Sequence, residues 1–408
     1  MIIHAQEHPL AELWGIQNHE IPSYLSREAN LIEVDRTLKK YLDESNFAQT
    51  YINIQTNLLT IETVNMFKVP EILSIPEVKQ YEQFLDFRKA NNSLAYLKSS
   101  FDEITKLAKQ NNPLSIFASI FPKFNNIVII VDNYGRNASE EEVLEEYIRS
   151  VSQYKPEVFF ADYPSDSLNS LTSSHTKRGC CLGRITETIF CGQGIINEFD
   201  GNICSAGFFA KNQSHTFLVT AGHCNKSYHG SISEKKFFTF ETTKPELIGK
   251  LVYSSTAPHD IALIDIKQMS KRLRPSTGII DSANLSYVEL FIDDDGMPVS
   301  THGAHLCKAG YSSSVTCGYT EAFNGFYLTG LLEIRENYIF VDIMNSFGGD
   351  SGGPVFAFTN LNRVVLNGIL SGSLKEISPV SPFNYIVPLE IILKDNNLNL
   401  ITDPIVPQ

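Results

Sequence analysis

At 408 residues, 43% of them hydrophobic and 19% charged, the chain is long enough for two domains and too apolar for intrinsic disorder. Its formal charge of −13 is spread over both halves, so neither offers the basic face that nucleic acid or an anionic membrane requires. No apolar run approaches the ~18 residues of a membrane-spanning helix, and residues 1–10 lack the basic start and apolar stretch of a signal peptide.

Residues 1–163 read as an α+β domain. Apolar residues recur at helical spacing over 31–42 and over 94–108, where Ser93 stands as N-cap. A third helix is expected to start at Ser139, with Glu142 completing a capping box, and to end before Pro156. β-rich runs lie at 50–64, 127–132 and 157–161. Residues 164–190 read as a linker: the Ser/Thr-rich stretch up to Arg178 is nearly devoid of apolar residues and ends in the dibasic pair Lys177-Arg178, a possible processing site.

From 191 to 408 the texture changes to short β-branched and aromatic runs, at 205–210, 216–220, 236–240, 261–266, 338–342, 355–358 and 364–370. Such turn-separated runs indicate an all-β barrel or sandwich. All seven cysteines (180, 181, 191, 204, 224, 307, 317) fall in the C-terminal part, without the spacing of a zinc site. Disulfides formed in an oxidising compartment are the better reading, with no metal and no cofactor. Asn91, Asn137, Asn212, Asn225 and Asn284 head N-x-[ST] sequons, which fits secretion and glycosylation. Together these lead us to expect a signal peptide that is missing from this chain.

The strongest chemical signal is the run F-G-G-D-S-G-G-P-V at 347–355. A nucleophilic serine needs its Oγ on a tight turn, with glycines that let backbone N–H groups converge on a developing oxyanion. Ser351 is the candidate nucleophile, with the Gly349 and Ser351 N–H groups as oxyanion hole. A serine hydroxyl needs a base, and of ten histidines only His223 sits in V-T-A-G-H-C, where an apolar run ends beside a cysteine. A carboxylate must then hold the imidazole; Asp260, in P-H-D-I-A-L-I-D-I, is preferred over Asp265 because it heads the strand. The order His, Asp, Ser also argues against an α/β-hydrolase esterase, whose order and G-x-S-x-G elbow differ.

Together T-A-G-H-C, H-D-I-A-L-I and G-D-S-G-G-P-V resemble the chymotrypsin-like serine proteases, and C-S-A-G-F-F-A resembles their bacterial-type branch, the α-lytic protease and streptogrisin group. The resemblance covers about 190–395. It implies a trypsin-like catalytic domain of two six-stranded antiparallel β-barrels, hydrolysing protein or peptide substrates through an acyl-enzyme, as a monomer. It further implies disulfides Cys204–Cys224 and Cys307–Cys317, a contact of Lys308 with Asp350, and Ser371, Gly372 and Ser373 as the substrate-binding segment, with Ser371 donating to Asp260. Cys180, Cys181 and Cys191 have no family counterpart. With no acidic residue among Asn345, Ser346 and Phe347, an apolar or small residue at the cleaved bond is expected rather than Lys or Arg. F-A-Q-T-Y-I-N at 47–53, followed by L-L-T-I-E-T-V, resembles the pro-region of this branch, implying a zymogen whose N-terminal half assists folding and inhibits. The alternative is a catalytically silent protease-fold binding protein with an accessory N-terminal domain.

Overall fold

The computed structural model describes residues 7–405 except 133–135, 162–186, 200, 226–234, 241–243, 283–287, 295, 331–332 and 375–381. The dibasic pair, Cys180, Cys181, Asn284 and most of the linker therefore lie outside the described residues. None of the described helices is long and apolar enough to cross a membrane.

The N-terminal half is α+β, as its patterning indicated, with differences at element boundaries. Its first long helix spans Ile21–Leu38, ten residues earlier than expected, because Pro22 suits a first turn and Ile21, Leu25, Leu31, Val34 and Leu38 form one buried face. The helix expected to start at Ser139 spans Ala138–Val151. Asn137 caps it instead, accepting from the Ser139 and Glu140 N–H groups at 3.0 and 3.1 Å while Glu140 reaches back to the Asn137 N–H. Helix Leu94–Asn111 starts at its Ser93 cap as expected. The β-rich run at 50–64 is a hairpin, Phe47–Asn53 with Leu58–Thr63, whose turn places Asn57 at φ 57°. Leu85–Lys89 pairs parallel to it in a three-stranded sheet.

The C-terminal part is built from two sheets that form barrel-like halves. The first runs in the order Asn399–Leu400, Phe208–Lys211, Thr216–Thr220, Ile261–Asp265, Leu247–Ser255, Lys236–Thr239, Gly194–Asn197, Ile203–Ser205. The run at 205–210 is thus two strands. They break at Ala206-Gly207, where a Cβ on Gly207 would lie 2.5 Å from the Val219 carbonyl oxygen. The second sheet holds Ser314–Leu328, His305–Gly310, Pro354–Asn360, Arg363–Leu374, Glu289–Ile292, Leu273–Ile280 and Glu187–Cys191 in order, with Ile334–Asp342 and Phe383–Pro388 completing the curl.

That second sheet does not stop at the C-terminal part. Strand Ile116–Phe121 pairs antiparallel with Ser314–Leu328, and Asn126–Asp132 and Glu157–Ala161 follow it, so the N-terminal half extends the barrel sheet by three strands. Helix Ile21–Leu38 buries two carboxylates against the same barrel. Glu28 accepts from the His305 N–H at 2.8 Å and binds its ring Nδ1 at 2.5 Å, while Asp35 accepts from Thr301 Oγ1 at 2.7 Å. One apolar cluster runs from Trp14 and Phe117 through Phe209 and Phe340. At roughly 25 cal/mol per Å² of apolar surface, shared burial of this kind is a dominant favourable term in holding the two parts together.

Candidate active site

His223 occupies a single 3-10 turn, Gly222–Cys224, directly after strand Thr216–Thr220. The turn packs so closely that a Cβ on Gly222 would fall 1.8 Å from the Ser255 carbonyl oxygen, which only glycine avoids. The disulfide Cys204–Cys224 ties the turn to the neighbouring strand. His223 Nδ1 lies 2.7 Å from Asp260 Oδ2, and its backbone N–H donates to Asp260 Oδ1 at 2.8 Å. Asp260, fully buried at the head of Ile261–Asp265, also accepts from Ser371 Oγ at 2.5 Å, as the resemblance implied. Burial alone would disfavour its ionised form; the charge and hydrogen bond of His223, the nearby Arg335 and the Ser371 hydroxyl outweigh this and bring its pKa down to about 2. Asp265, the rival carboxylate, is engaged elsewhere, with His215 Nδ1 at 2.8 Å and the Lys267 N–H at 2.8 Å.

Ser351 sits on the turn its glycines indicated. Gly349 adopts φ 105° and Gly352 φ 81°, both in the region that favours glycine. Asp350 N–H donates to Phe347 O and Gly353 N–H to Asp350 O, each at 3.0 Å, closing the loop. The Ser351 carbonyl accepts from the Ser205 N–H at 2.8 Å and lies 3.9 Å from Cys224 Sγ, so the loop rests against the histidine turn. Among the described residues no hydrogen bond joins Ser351 Oγ to His223, a contact that commonly tightens only when substrate binds. Beneath the loop, Lys308 and Asp350 form a fully buried ion pair at 3.2 Å. The Asp350 carboxylate also accepts from the N–H groups of Ser312 (2.7 Å), Ser313 (3.1 Å) and Phe347 (2.9 Å).

Ser371, Gly372 and Ser373 lie on strand Arg363–Leu374, which continues past the run read from sequence; Gly372 is paired with Tyr385 and Ser373 with Asn384. A Cβ on Gly372 would meet the Tyr385 hydroxyl at 2.2 Å. Asn384 is occupied by Ser346 and by the Met344 carbonyl. Cys307–Cys317 forms the second disulfide, while Cys191 is a buried free thiol pushed up to about 12 by burial. Cys204, Cys224 and His223 come together in a way that could suggest a metal site, but the two sulfurs are spent on each other.

Two groups behind Asp260 carried no sequence signal. Arg335 and Tyr338 lie on strand Ile334–Asp342; Arg335 Nη1 is 3.7 Å from Asp260 Oδ2 and the Tyr338 hydroxyl is 3.0 Å from Ser371 Oγ.

Residues 196–388 match the Trypsin family model. Solved structures similar to the chain include Thermobifida fusca Protease A (19% identity, TM-score 0.41, 53% of this chain and 100% of that one) and Nocardiopsis protease (20%, 0.41, 53% and 100%). A third, titled as a glutamic acid specific serine protease with a novel histidine triad in substrate binding, is 22% identical at TM-score 0.42, over 52% of this chain and 100% of that one. No curated protein matches the chain.

Proposed function

We propose that this chain, whose residues 196–388 form a trypsin-family domain, is a secreted serine endopeptidase made as a zymogen, with Ser351, His223 and Asp260 as its triad. The observation that carries the reading is the Asp260 carboxylate, ionised and buried, fixing both the ring and the backbone of His223 beside the Ser351 turn. Asp260 holds the proton of His223 on Nδ1, leaving Nε2 free to accept. In the reaction His223 Nε2 takes the Ser351 hydroxyl proton as Oγ attacks the substrate carbonyl. The oxyanion forms against the Gly349 and Ser351 N–H groups, neither of which is used in a hydrogen bond among the described residues. His223 then gives the proton to the leaving amine, and water reverses the sequence to release the acid. Ser371, Gly372 and Ser373 would bind substrate backbone. The Ser346 and Asn384 side chains satisfy each other, offering no charge to a basic side chain and supporting an apolar or small residue at the cleaved bond.

Residues 1–163 act in this reading as a pro-region and partner of residues 191–408, joined by the 164–190 linker that is cut during maturation. Support comes from the three strands it adds to the barrel sheet, since long-range pairing of this kind is slow to nucleate. Two disulfides favour an extracellular destination, and the enzyme is proposed to act as a monomer on proteins or peptides. The test is Ser351→Ala: peptide hydrolysis should fall by about 10⁶-fold in kcat, and fluorophosphonate labelling should vanish with the fold intact. Labelling that persists in the variant removes Ser351 as nucleophile.

A further inference from the structure

We infer that Arg335 is a positioning residue for the triad: its guanidinium, set against the outer side of Asp260, keeps His223 available as a base at acidic pH. The inference rests on the triad reading above and adds a group that no motif in the chain indicates.

Asp260 Oδ2 is approached by three groups: His223 Nδ1 at 2.7 Å, Ser371 Oγ at 2.5 Å and Arg335 Nη1 at 3.7 Å. Among the described residues Arg335 is the one Lys or Arg within 4.0 Å of that carboxylate. Its side chain is only 12% exposed. The guanidinium carbon lies 5.8 Å from the centre of the Tyr327 ring, and Nε is buried without a hydrogen-bond partner among the described residues. A long cation is desolvated in this way only where something compensates it, and the compensating charge here is Asp260. The strand is pinned to the Asp260 loop by the Glu336 N–H, which donates to Pro258 O at 3.1 Å.

The other titratable groups packed around the pair do not compete for this role. Tyr338, Tyr385 and Tyr327 are all raised above the ordinary phenol value, chiefly by burial, and so stay neutral. Glu333 is bound to Thr256 at 2.8 Å, Glu336 to Lys109 at 2.5 Å, and His259 to Asp395 at 2.8 Å. The buried charges are therefore Asp260 and Arg335, which cancel. Protonating His223 adds a positive charge to a neutral pair; without Arg335 the same proton would neutralise a lone carboxylate. The cation thus opposes ground-state protonation of the base, extending activity towards acid, and the same repulsion limits how far imidazolium is favoured during the reaction.

The test measures, on the protein matured by cleavage in the 164–190 linker, the rate of fluorophosphonate labelling against pH for wild type, Arg335→Met, Arg335→Gln and Arg335→Lys, with kcat and KM on fluorescent casein. Loss of the charge should move the midpoint of the acid limb upward by about one pH unit, as expected for a unit charge several ångströms away at an effective dielectric of about 20–40. Gln and Met should agree, Lys should restore most of the wild-type profile, and KM should change less than kcat at acidic pH. Should Met fail to fold, Gln carries the comparison. An unmoved acid limb overturns the inference, as does a Lys variant displaced as far as Gln, since shape rather than charge would then be responsible. A change confined to KM would make Arg335 a substrate contact and overturn it too. Failure of the triad reading looks different: wild type would label at no pH, or would label equally well as Ser351→Ala or His223→Ala.

Discussion

Replacing Lys308 by Met tests how the nucleophile loop is held. Lys308 and Asp350 are both fully buried, so the substitution leaves a carboxylate facing a methyl group where, among the described residues, its only cation within 4.0 Å had been. Removing one partner of a buried pair costs about 3–5 kcal/mol, because the remaining charge is left uncompensated. Three backbone N–H groups and the Ser313 hydroxyl still serve Asp350, at 2.5 to 3.1 Å. The Met side chain also keeps the apolar stem packed. The lower end, about 3 kcal/mol, is therefore expected. Urea denaturation followed by fluorescence should show it as a lower midpoint at unchanged slope. Because the Phe347 N–H and Asp350 carboxylate also close the turn that presents the Gly349 N–H, kcat should fall by about 10²-fold, the order associated with a misplaced oxyanion donor. Adding Asp350→Asn removes the orphaned charge and should return at least ~1 kcal/mol of stability without restoring kcat, since the Asn amide N–H₂ cannot accept all the bonds the carboxylate did. A stability loss below about 1 kcal/mol in Lys308→Met would refute the reasoning, for it would mean that Asp350 is satisfied without its cation.

Asp260→Asn should lower kcat by about 10⁴-fold by stabilising the wrong imidazole tautomer, whereas Asp265→Asn, whose carboxylate serves His215, should be mild; the reverse order in a steady-state assay would reassign the carboxylate. His302 and His8, buried where the two parts of the chain meet, are both lowered to about 4, chiefly by desolvation. A depressed base contributes its full stability above the unfolded value near 6.5 and loses it as pH falls through the folded one. Each should therefore withdraw roughly 3 kcal/mol between about pH 6.5 and 4. Denaturation midpoints measured across that window should fall with acid, and His302→Gln should flatten the slope; a flat wild-type profile would discount the burial of these rings. Finally, residues 191–408, denatured with disulfides intact, should refold faster when residues 1–163 are added in trans, and the same fragment should inhibit the folded enzyme. Equal refolding rates with and without it, and no inhibition, would leave residues 1–163 as an accessory domain.

The catalytic constellation was legible because its chemistry is local and intolerant of substitution. Only glycine suits the backbone at 349 and 352, only glycine fits at 222 under the Ser255 carbonyl, and the histidine turn needs its cysteine within one residue. Those demands write themselves as contiguous words. Arg335 and Tyr338 obey no such rule. Each is one polar residue on a strand that also carries Glu336, Asn337 and Asp342, so nothing local singles it out, and both acquire meaning only because a strand 75 residues beyond Asp260 folds behind it. Ser371 differs: the resemblance implied that it donates to Asp260, and only its contact with the Tyr338 hydroxyl needed the fold.

The union of the N-terminal half with the barrel was hidden for a different reason. Strand Ile116–Phe121 is buried at every position, so it shows neither the alternation of a half-exposed strand nor a helical stripe, and periodicity is silent on its partner. The carboxylates that dock the half, Glu28 and Asp35, lie on helix Ile21–Leu38; Glu28 precedes the run read as helical over 31–42, and nothing in the apolar spacing of that run marks Asp35 as buried. In the folded chain they are the buried groups, and the residues they satisfy, His305 and Thr301, lie more than 260 positions away. Phe117 makes the same point in the core. It stacks on Tyr327 at 4.0 Å and touches Tyr385 at 5.2 Å, and Tyr385 in turn packs on Tyr338 at the same distance. An aromatic side chain from the N-terminal half therefore belongs to the packing that supports Ser371 and, through it, the carboxylate of Asp260. Close-packed interiors transmit the loss of one such ring to their neighbours, so whatever separates the two parts of this chain must also repack the wall behind the site.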